Sequence, residues 1–352
     1  AKKYLDKILA LKDLKAWQDA LPDLFLESYD APFELYVSPD MKDTKHYALH
    51  ADVPSLFLPD KTYYEPGNEQ AKTLLQILEQ MLTELFKLAG YDEEFNQKTI
   101  KQALAYDKKL APFQKDSTER ADYVKSYNKY TFQDFVALSE HVDLAKVVTA
   151  LLGKAPEQVI VSEPKYYAAL NELVNEQNFE SMRSWLFVKT LLDLTGLLSD
   201  EIRVLGGTYN RALSGSKEAM KPQKAAFYLA TNQYSQVVGL YYAHKYFGAQ
   251  AKADVHHMVE KMIAVYKKRL EENEWLSDET RKKAIVKLDA LGINVGYPDE
   301  LDPLYSKFIV NDDLNLVDNV TNFTKIATKR HFERIDEEVD RTHGQRLLSS
   351  FI

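Results

Sequence analysis

Residues 274–300, EWLSDETRKKAIVKLDALGINVGYPDE, predict a helix with a well-defined start and a sharp end. Ser277 is a good N-cap, because its hydroxyl can accept a hydrogen bond from a first-turn N–H. Asp278 and Glu279 place negative charge at the positive end of the helix dipole. Two glycines and a proline then end the helix. An apolar stripe, which we expect to be buried as core scaffolding, is formed by Ala284, Ile285, Leu288 and Leu291.

Helical periodicity continues along most of the chain. Residues 1–29 read as one charged amphipathic helix, and a last helix is expected near 315–334. Between them the pattern predicts helices at 68–90, 94–111, 116–130, 131–140, 165–176, 178–197, 199–213, 219–247, 251–273 and 277–291. The predicted fold class is therefore mainly α, a multi-helix domain with a few short strands and an extended C-terminal connection.

Two segments break the helical pattern. Residues 31–64 contain four prolines, and the stretches FELYV and HYALHA look extended. From residue 297 the chain loosens again. We therefore predict a helical domain over residues 1–296 and a connection over residues 297–352. Both loosened segments mix proline, aromatic and aliphatic residues, and we expect them to expose apolar surface.

Residues 223–247, QKAAFYLATNQYSQVVGLYYAHKYF, are apolar or aromatic on most sides. A helix that is apolar all round is typically buried in a core. The stretch therefore predicts a central buried helix, and core packing explains its aromatic run better than a stacking or cofactor surface does.

Composition excludes several classes of protein. The 352 residues are 45% hydrophobic, enough for a sizeable core, and carry a formal charge of −8, which disfavours nucleic acid or an anionic membrane as partner. No apolar run reaches the ~18 residues that span a bilayer. The absence of cysteine excludes disulfides and thiolate chemistry. With no signal peptide at the start, a cytoplasmic location is favoured and a secreted one stays open.

The histidines do not follow a zinc-binding pattern. None of the eight begins H-E-x-x-H, which would place two imidazoles on one face of a helix. His256 and Glu260 are four residues apart and could share a helix face, but a solvent-exposed pair is the simpler interpretation. His46 and His50 have the same spacing in a stretch that looks extended. The sequence predicts no metal site.

Other catalytic patterns are also missing. Neither G-x-S-x-G nor a phosphate-binding G-x-x-x-x-G-K-[ST] occurs. Neighbouring carboxylates, Asp92 to Glu94 and Glu337/Glu338, lack any sign of the burial that general acid–base work requires. We therefore predict no catalytic and no cofactor-binding residue in this chain.

Five motifs in order along the chain resemble one family. They are D-x-x-x-Y-x-L and P-S-L-x-L-P-D-x-x-Y-Y within 43–64, E-P-x-Y-Y at 163–167, V-G-L-Y-Y-A-x-x-Y-F at 238–247, W-L-S-D-E-T-R-x-x-A-x-x-K-L with G-Y-P-D at 275–299, and F-x-R-I-D-x-x-V-D-R-T at 332–342. Together they resemble the neprilysin family of zinc metallopeptidases, in its bacterial oligopeptidase O branch. The resemblance spans about residues 30–342.

This resemblance implies a specific role. In that family the matching region is a large helical lid over a separate catalytic domain, and the enclosed chamber admits short peptides. The family's zinc ligands, H-E-x-x-H and then E-x-x-x-D, come later and have no counterpart here. After His343 the sequence departs from the family into GQRLLSSFI.

The resemblance therefore implies that this chain is the lid of a zinc metalloendopeptidase, without its own zinc and inactive alone. We expect zinc in the full-length parent, the catalytic domain of the same protein as partner, and short peptides as substrates. The alternative is a free-standing helical binding or scaffold protein derived from such a lid.

Overall fold

The computed structural model describes residues 1–340. Their contacts divide into two compact units. Unit 1 contains residues 1–220 and 309–339, and unit 2 contains residues 221–308. The domain boundary expected at residue 296 concerns the whole protein and stays a prediction.

Helices dominate the described residues, which confirms the mainly α class. In chain order they are α1 Lys2–Leu9, α2 Leu14–Leu26, α3 Glu69–Leu88, α4 Glu93–Leu110, α5 Ser117–Ala121, α6 Phe132–Val136, α7 Leu144–Leu152, α8 Pro164–Ala168, α9 Leu170–Leu173, α10 Phe179–Thr195, α11 Asp200–Gly206, α12 Thr208–Ser214, α13 Pro222–Gln233, α14 Ser235–Tyr246, α15 Gly248–Glu271, α16 Asp278–Asp289 and α17 Leu316–Glu333. Short 3₁₀ turns occupy Lys61–Tyr64, Ala111–Phe113, Tyr123–Ser126, Pro303–Lys307 and Arg334–Asp336.

A small sheet completes unit 1. Its strands are β1 Glu34–Pro39, β2 Tyr47–Asp52, β3 Asn128–Thr131 and β4 Gln158–Val161, in the order β1-β2-β4-β3. The β1–β2 and β3–β4 pairs are antiparallel, whereas β2 and β4 run parallel. The stretches FELYV and HYALHA are thus extended, as predicted.

Side-chain caps explain where many helices begin. Asp13, Asn68 and Asp92 each accept a hydrogen bond from the backbone N–H three residues later, at 2.7, 3.0 and 2.8 Å. Such caps satisfy N–H groups that have no partner within the helix. Asp13 also explains one error, because it starts a second helix where the sequence pattern predicted a single helix over 1–29.

Further predictions fail in unit 1. The helices expected at 165–176 and 199–213 are each divided in two, and the one expected at 131–140 is only Phe132–Val136. The segment 116–130 does not form one continuous helix. It contains the five-residue helix α5, a 3₁₀ turn and strand β3. Segment 31–64 buries most of its apolar side chains, since residues such as Phe33, Val37 and Leu49 lie in the core, and Met41 is its one exposed large apolar side chain. The sequence patterns also do not predict α7 or β4, whose short apolar runs are ambiguous between helix and strand.

The central buried helix of the protein is α10. It packs along α4, and most of its residues are buried, including Trp185, Phe187 and the polar Lys189. Its buried set surrounds the helix, which is the pattern that we had assigned to residues 223–247. No described helix is both long and apolar enough to cross a membrane.

Unit 2 is built from α13 to α16 and does not bury residues 223–247. These residues form two helices, α13 and α14, with a break at Tyr234, and Ala243 is their one buried residue. Helix α16 also lacks buried residues, and Leu291 is exposed. The expectation of a central buried helix is therefore wrong for the described residues. In α16 the expected stripe is the less exposed side, since Ala284, Ile285 and Leu288 are partly buried, but it is not core.

Candidate functional site

The candidate metal ligands on α15 lie on an exposed surface. On α15, the Nδ1 atoms of His256 and His257 both lie 3.5 Å from the Glu260 carboxylate. No third histidine or carboxylate joins them, and residues 1–340 contain no group of three such side chains able to hold a metal. The pair is an exposed contact between neighbouring helix turns, as the sequence suggested.

His46 and His50 are far apart in spite of their spacing. Strand β2 begins at Tyr47, so four residues of extended chain separate them by about 13 Å. His46 contacts Asp43 at 2.7 Å, whereas His50 stacks on Tyr36 with ring centroids 5.1 Å apart. Burial lowers the pKa of His50. The two imidazoles therefore cannot share one metal ion.

The carboxylate clusters have structural roles. Asp92 caps α4, and the carboxylates that follow it lie in the first turn of that helix, where negative charge is favourable. Glu337 forms a two-point ion pair with Arg330, at 2.5 and 2.8 Å. Glu338 forms a β-bridge with His46. Neither cluster has the geometry of a buried acid–base pair.

A buried polar cluster was missed by sequence reasoning. Asp107 on α4 accepts hydrogen bonds from the Phe57 N–H at 3.0 Å, the Trp185 indole at 2.8 Å and the Tyr64 hydroxyl. Burial raises the pKa of Asp107, while Lys189 and these donors act in the opposite direction. The cluster fixes the family-like motif at 54–64 against α4 and α10. Its only sequence signal is that Asp107 lies on the apolar side of α4.

Lys189 extends this cluster. Its Nζ donates to the Ser55 carbonyl and hydroxyl at 2.8 and 2.9 Å, and lies 5.3 and 5.2 Å from the rings of Phe57 and Trp185. Asp30 is 4.0 Å away. Because every described donor and acceptor here is used to hold the chain together, the cluster is scaffolding and not a reactive centre.

The E-P-x-Y-Y motif is also structural. Buried Glu163 accepts from the Arg120 side chain at 3.0 Å and from the Lys115 N–H at 2.6 Å. Tyr166 and Tyr167 donate to the carbonyls of Pro32 and Asp52, at 2.7 and 2.9 Å. These bonds connect α8 to the chain around β1 and β2.

Residues 274–300 have a similar structural role inside unit 2. Ser277 caps α16 as predicted, accepting from the Thr280 N–H at 3.2 Å. Gly296 has φ +71°, and a Cβ there would lie 2.6 Å from the Phe247 ring. Lys252 on α15 donates to the Tyr297 carbonyl at 2.9 Å and lies 4.4 Å from its ring. Glycine is therefore required for the turn that fixes this segment to α14 and α15.

The most distinctive surface lies on unit 2. We define the unit 2 apolar face as the exposed large apolar side chains of α13 to α15. They are Phe227, Tyr228, Val237, Val238, Tyr241, Tyr242, Tyr246, Met258, Met262, Val265 and Tyr266. Met258 and Met262 are 54% and 58% exposed, and Tyr241 is 69% exposed. Within unit 2 only Ala243 and Leu304 are buried hydrophobic residues. Large contiguous apolar surfaces of this composition are typical of interaction sites.

Helix α15 packs only part of its predicted apolar stripe inward. Its helical spacing predicts a core stripe of Val255, Met258, Val259, Met262 and Tyr266. Val255 and Val259 are partly buried, together with Ile263 and Leu270, whereas Met258, Met262 and Tyr266 are exposed. The helix therefore has apolar residues on two faces, and unit 2 covers only one of them.

Comparison with known proteins identifies the family. The model for peptidase family M13 matches residues 1–298. The chain belongs to peptidase family M13. The neutral endopeptidase of Lactobacillus helveticus is 36% identical over 338 residues, covering 96% of this chain and 52% of that protein. A neutral endopeptidase of Lactococcus lactis is 37% identical over 342 residues, covering 97% and 54%. The resemblance to the neprilysin family is thereby confirmed.

Solved structures of M13 proteins share the fold. PepO from Lactobacillus rhamnosis superposes with a TM-score of 0.90 at 29% identity, covering 96% of this chain and 54% of PepO. The zinc metalloprotease Zmp1 of Mycobacterium tuberculosis, in complex with inhibitor, gives 0.83 at 26% identity, covering 97% and 51%. The chain thus spans about half the length of the M13 relatives that it matches.

Proposed function

We propose that this chain is the lid, or substrate-access region, of a zinc metalloendopeptidase that acts on short peptides. The catalytic domain would be supplied by a further part of the same parent protein. Membership of family M13 supports the peptidase class, and the relatives named neutral endopeptidases are about twice as long as the matched region.

The unit 2 apolar face is the observation that supports a missing partner. Covering one large apolar side chain is worth about 1.5–3 kcal/mol, so a face of this size is costly to leave in water. Tyrosine and methionine, which recur on it, are enriched at protein interfaces. A catalytic domain that packs on this face would complete a hydrophobic core that unit 2 lacks.

The described residues do not fit a zinc ion. The His256–Glu260 contact is exposed and has no third ligand, and His46 and His50 point to no common site. His343 lies outside the described residues. Under this proposal the zinc ligands belong to the rest of the parent protein, as they do in the family that the motifs resemble.

Complementation tests the proposal. The chain alone and the chain joined to the segment that follows it in the parent gene would be assayed on a quenched fluorescent peptide, with and without chelator. We expect no cleavage by the chain alone and chelator-sensitive cleavage by the joined protein. A folded protein substrate should be cut little, because the lid limits access by size.

Surface variants test the apolar face. Met258→Glu/Met262→Glu should lower complementation by separate chains at least about tenfold, because two carboxylates would be desolvated at the interface. Leu88→Glu is the matched control, since Leu88 is exposed at the end of α3 in unit 1. All variants should keep the helical content of the parent chain. Equal effects from both would contradict the assignment of this face.

Two other outcomes would point to a different function. Chelator-resistant cleavage by this chain alone would overturn the lid proposal. If the joined protein binds zinc but cleaves no peptide, the free-standing binding-protein alternative becomes the better explanation.

A further inference from the structure

Strand β1 is an edge strand of the sheet, and a histidine covers its outer side. The Val37 N–H, which does not pair with β2, donates to Nε2 of His331 on α17 at 3.0 Å. Two residues along the same edge, Pro39 has no N–H to offer. An uncovered edge strand can pair with other chains. The His331 imidazole therefore covers one outward N–H group of this edge.

His331 belongs to a segment that wraps the β1–β2 hairpin. We define the edge arm as residues 316–339, which contain α17 and the turn after it. The arm is also held by the ion pair between Lys154 and Asp336 and by the Val339 N–H, which donates to the Lys45 carbonyl at 2.8 Å. Of these three contacts, the one between Val37 and His331 is lost when its acceptor, the imidazole Nε2, becomes protonated at mildly acidic pH.

The Val37 contact requires a neutral imidazole. Nε2 can accept a hydrogen bond only while it carries no proton. Burial, and then the nearby Arg334, lower the pKa of His331 to about 4. The elements packed against α17 are α2, α7, β1 and the turn Arg334–Asp336, and their titratable or charged residues are Lys15, Asp19, Asp23, Lys146, Glu34, Tyr36, Arg334 and Asp336. Of these, Arg334 is the one whose charge acts on the imidazole, and it disfavours the protonated form.

We infer that the edge arm is an acid-released cover, with His331 as the group that couples its detachment from β1 to pH. In the detached arm the imidazole is solvated and free to take up a proton, whereas in the docked arm it must stay neutral to accept from Val37. Protons therefore favour the detached state. The inference does not depend on the proposed function.

The size of the effect follows from linkage. With an imidazole pKa of 6.5 when free and about 4 when docked, stability of the docked arm is lost as pH falls from 6.5 toward 4. The equilibrium constant for detachment should rise about 30-fold between pH 7.5 and pH 5. Glu34 on β1, whose pKa is raised by burial to about 7, and His50 on β2, whose pKa is lowered by burial, also titrate near this window. Variants of His331 are therefore needed to assign the effect to this histidine.

Hydrogen exchange measured by mass spectrometry tests the inference on the full chain. Peptides covering 34–39 and 316–333 should lose protection about 30-fold between pH 7.5 and pH 5, after correction for the pH dependence of chemical exchange. Peptides covering α4 and α10 should not follow this change. His331→Gln keeps an acceptor at the Nε2 position but does not titrate, so its arm should show the same protection at both pH values.

A second variant separates coupling from simple packing. His331→Phe fills the site without an acceptor, so the arm should be less protected at pH 7.5 and independent of pH. If His331→Gln retains the pH dependence of the wild type, another group is responsible and the inference fails. If the wild-type arm shows no pH dependence, the inference fails as well.

Discussion

The indole N–H of Trp185 donates to Oδ1 of Asp107 at 2.8 Å, and both side chains are buried between α10 and α4. The other oxygen of the same carboxylate accepts from the Phe57 N–H and the Tyr64 hydroxyl. One carboxylate thus joins the two principal helices to the loop that carries the family motif at 54–64. The residues of this motif therefore have a structural role, since they hold the loop against the two helices.

Replacing Asp107 should therefore destabilise unit 1. Asp107→Ala leaves three donors without their acceptor, and we expect a loss of about 2–4 kcal/mol in the free energy of unfolding. Trp185→Phe removes only one of these donors and keeps most of the ring packing, so it should cost less. Urea denaturation measures both. A smaller loss for Asp107→Ala than for Trp185→Phe would show that packing, not the carboxylate, dominates the cluster.

The assignment of α10 as the central buried helix can be tested by comparing substitutions of two apolar residues. Leu186 on α10 is fully buried, whereas Val286 on α16 is 66% exposed. Leu186→Ala should cost about 2–5 kcal/mol, because it leaves a cavity in a packed core. Val286→Ala should change the unfolding free energy by less than about 0.5 kcal/mol. Similar costs for the two would contradict the assignment of α10 as the central helix.

Ser28 is a site where a substitution should stabilise the protein. It is the one described non-glycine residue with positive φ, at 57°, and it ends α2 in the left-handed conformation. Its hydroxyl lies 3.4 Å from that of Thr328, a weak contact. Ser28→Gly should raise the free energy of unfolding by about 0.5–1 kcal/mol, because glycine adopts this conformation without a Cβ penalty. Ser28→Ala should not raise it, and thermal unfolding of both variants provides the check.

Asp193 should make stability depend on pH in the neutral range. Burial, and then the neighbouring Asp30, raise the pKa of Asp193 to about 8 in the folded protein. Between pH 4 and pH 8 the folded state therefore holds a proton that the unfolded state has released. Stability from this group is present at low pH and lost as pH rises toward 8. This sign is opposite to that of His331.

The matched variant is Asp193→Asn, which resembles the protonated carboxyl at every pH. Its unfolding free energy should fall less than that of the wild type between pH 5 and pH 9. Denaturation with urea at pH 5, 7 and 9 gives the comparison. Parallel pH profiles for the two proteins would show that Asp193 is ionised in the fold.

Local sequence patterns determined the fold class and many of the helix starts. Ser277 caps α16 where the pattern predicted, because capping depends only on a side chain and the next turn of backbone. The extended stretches at β1 and β2 were also predicted. The motifs located the family, because each fixes residue types at a spacing that periodicity alone does not require.

The tertiary structure alone decided which apolar surfaces are covered. Residues 223–247 are apolar on most sides, a pattern that fits a buried helix and also fits a helix whose partner is another part of the protein. Asp107 lies in a polar-looking helix yet is buried, and His331 becomes an acceptor for Val37 across 294 residues of chain. Periodicity records which residues share a face of an element. It does not record what lies against that face, because that depends on contacts between residues far apart in sequence.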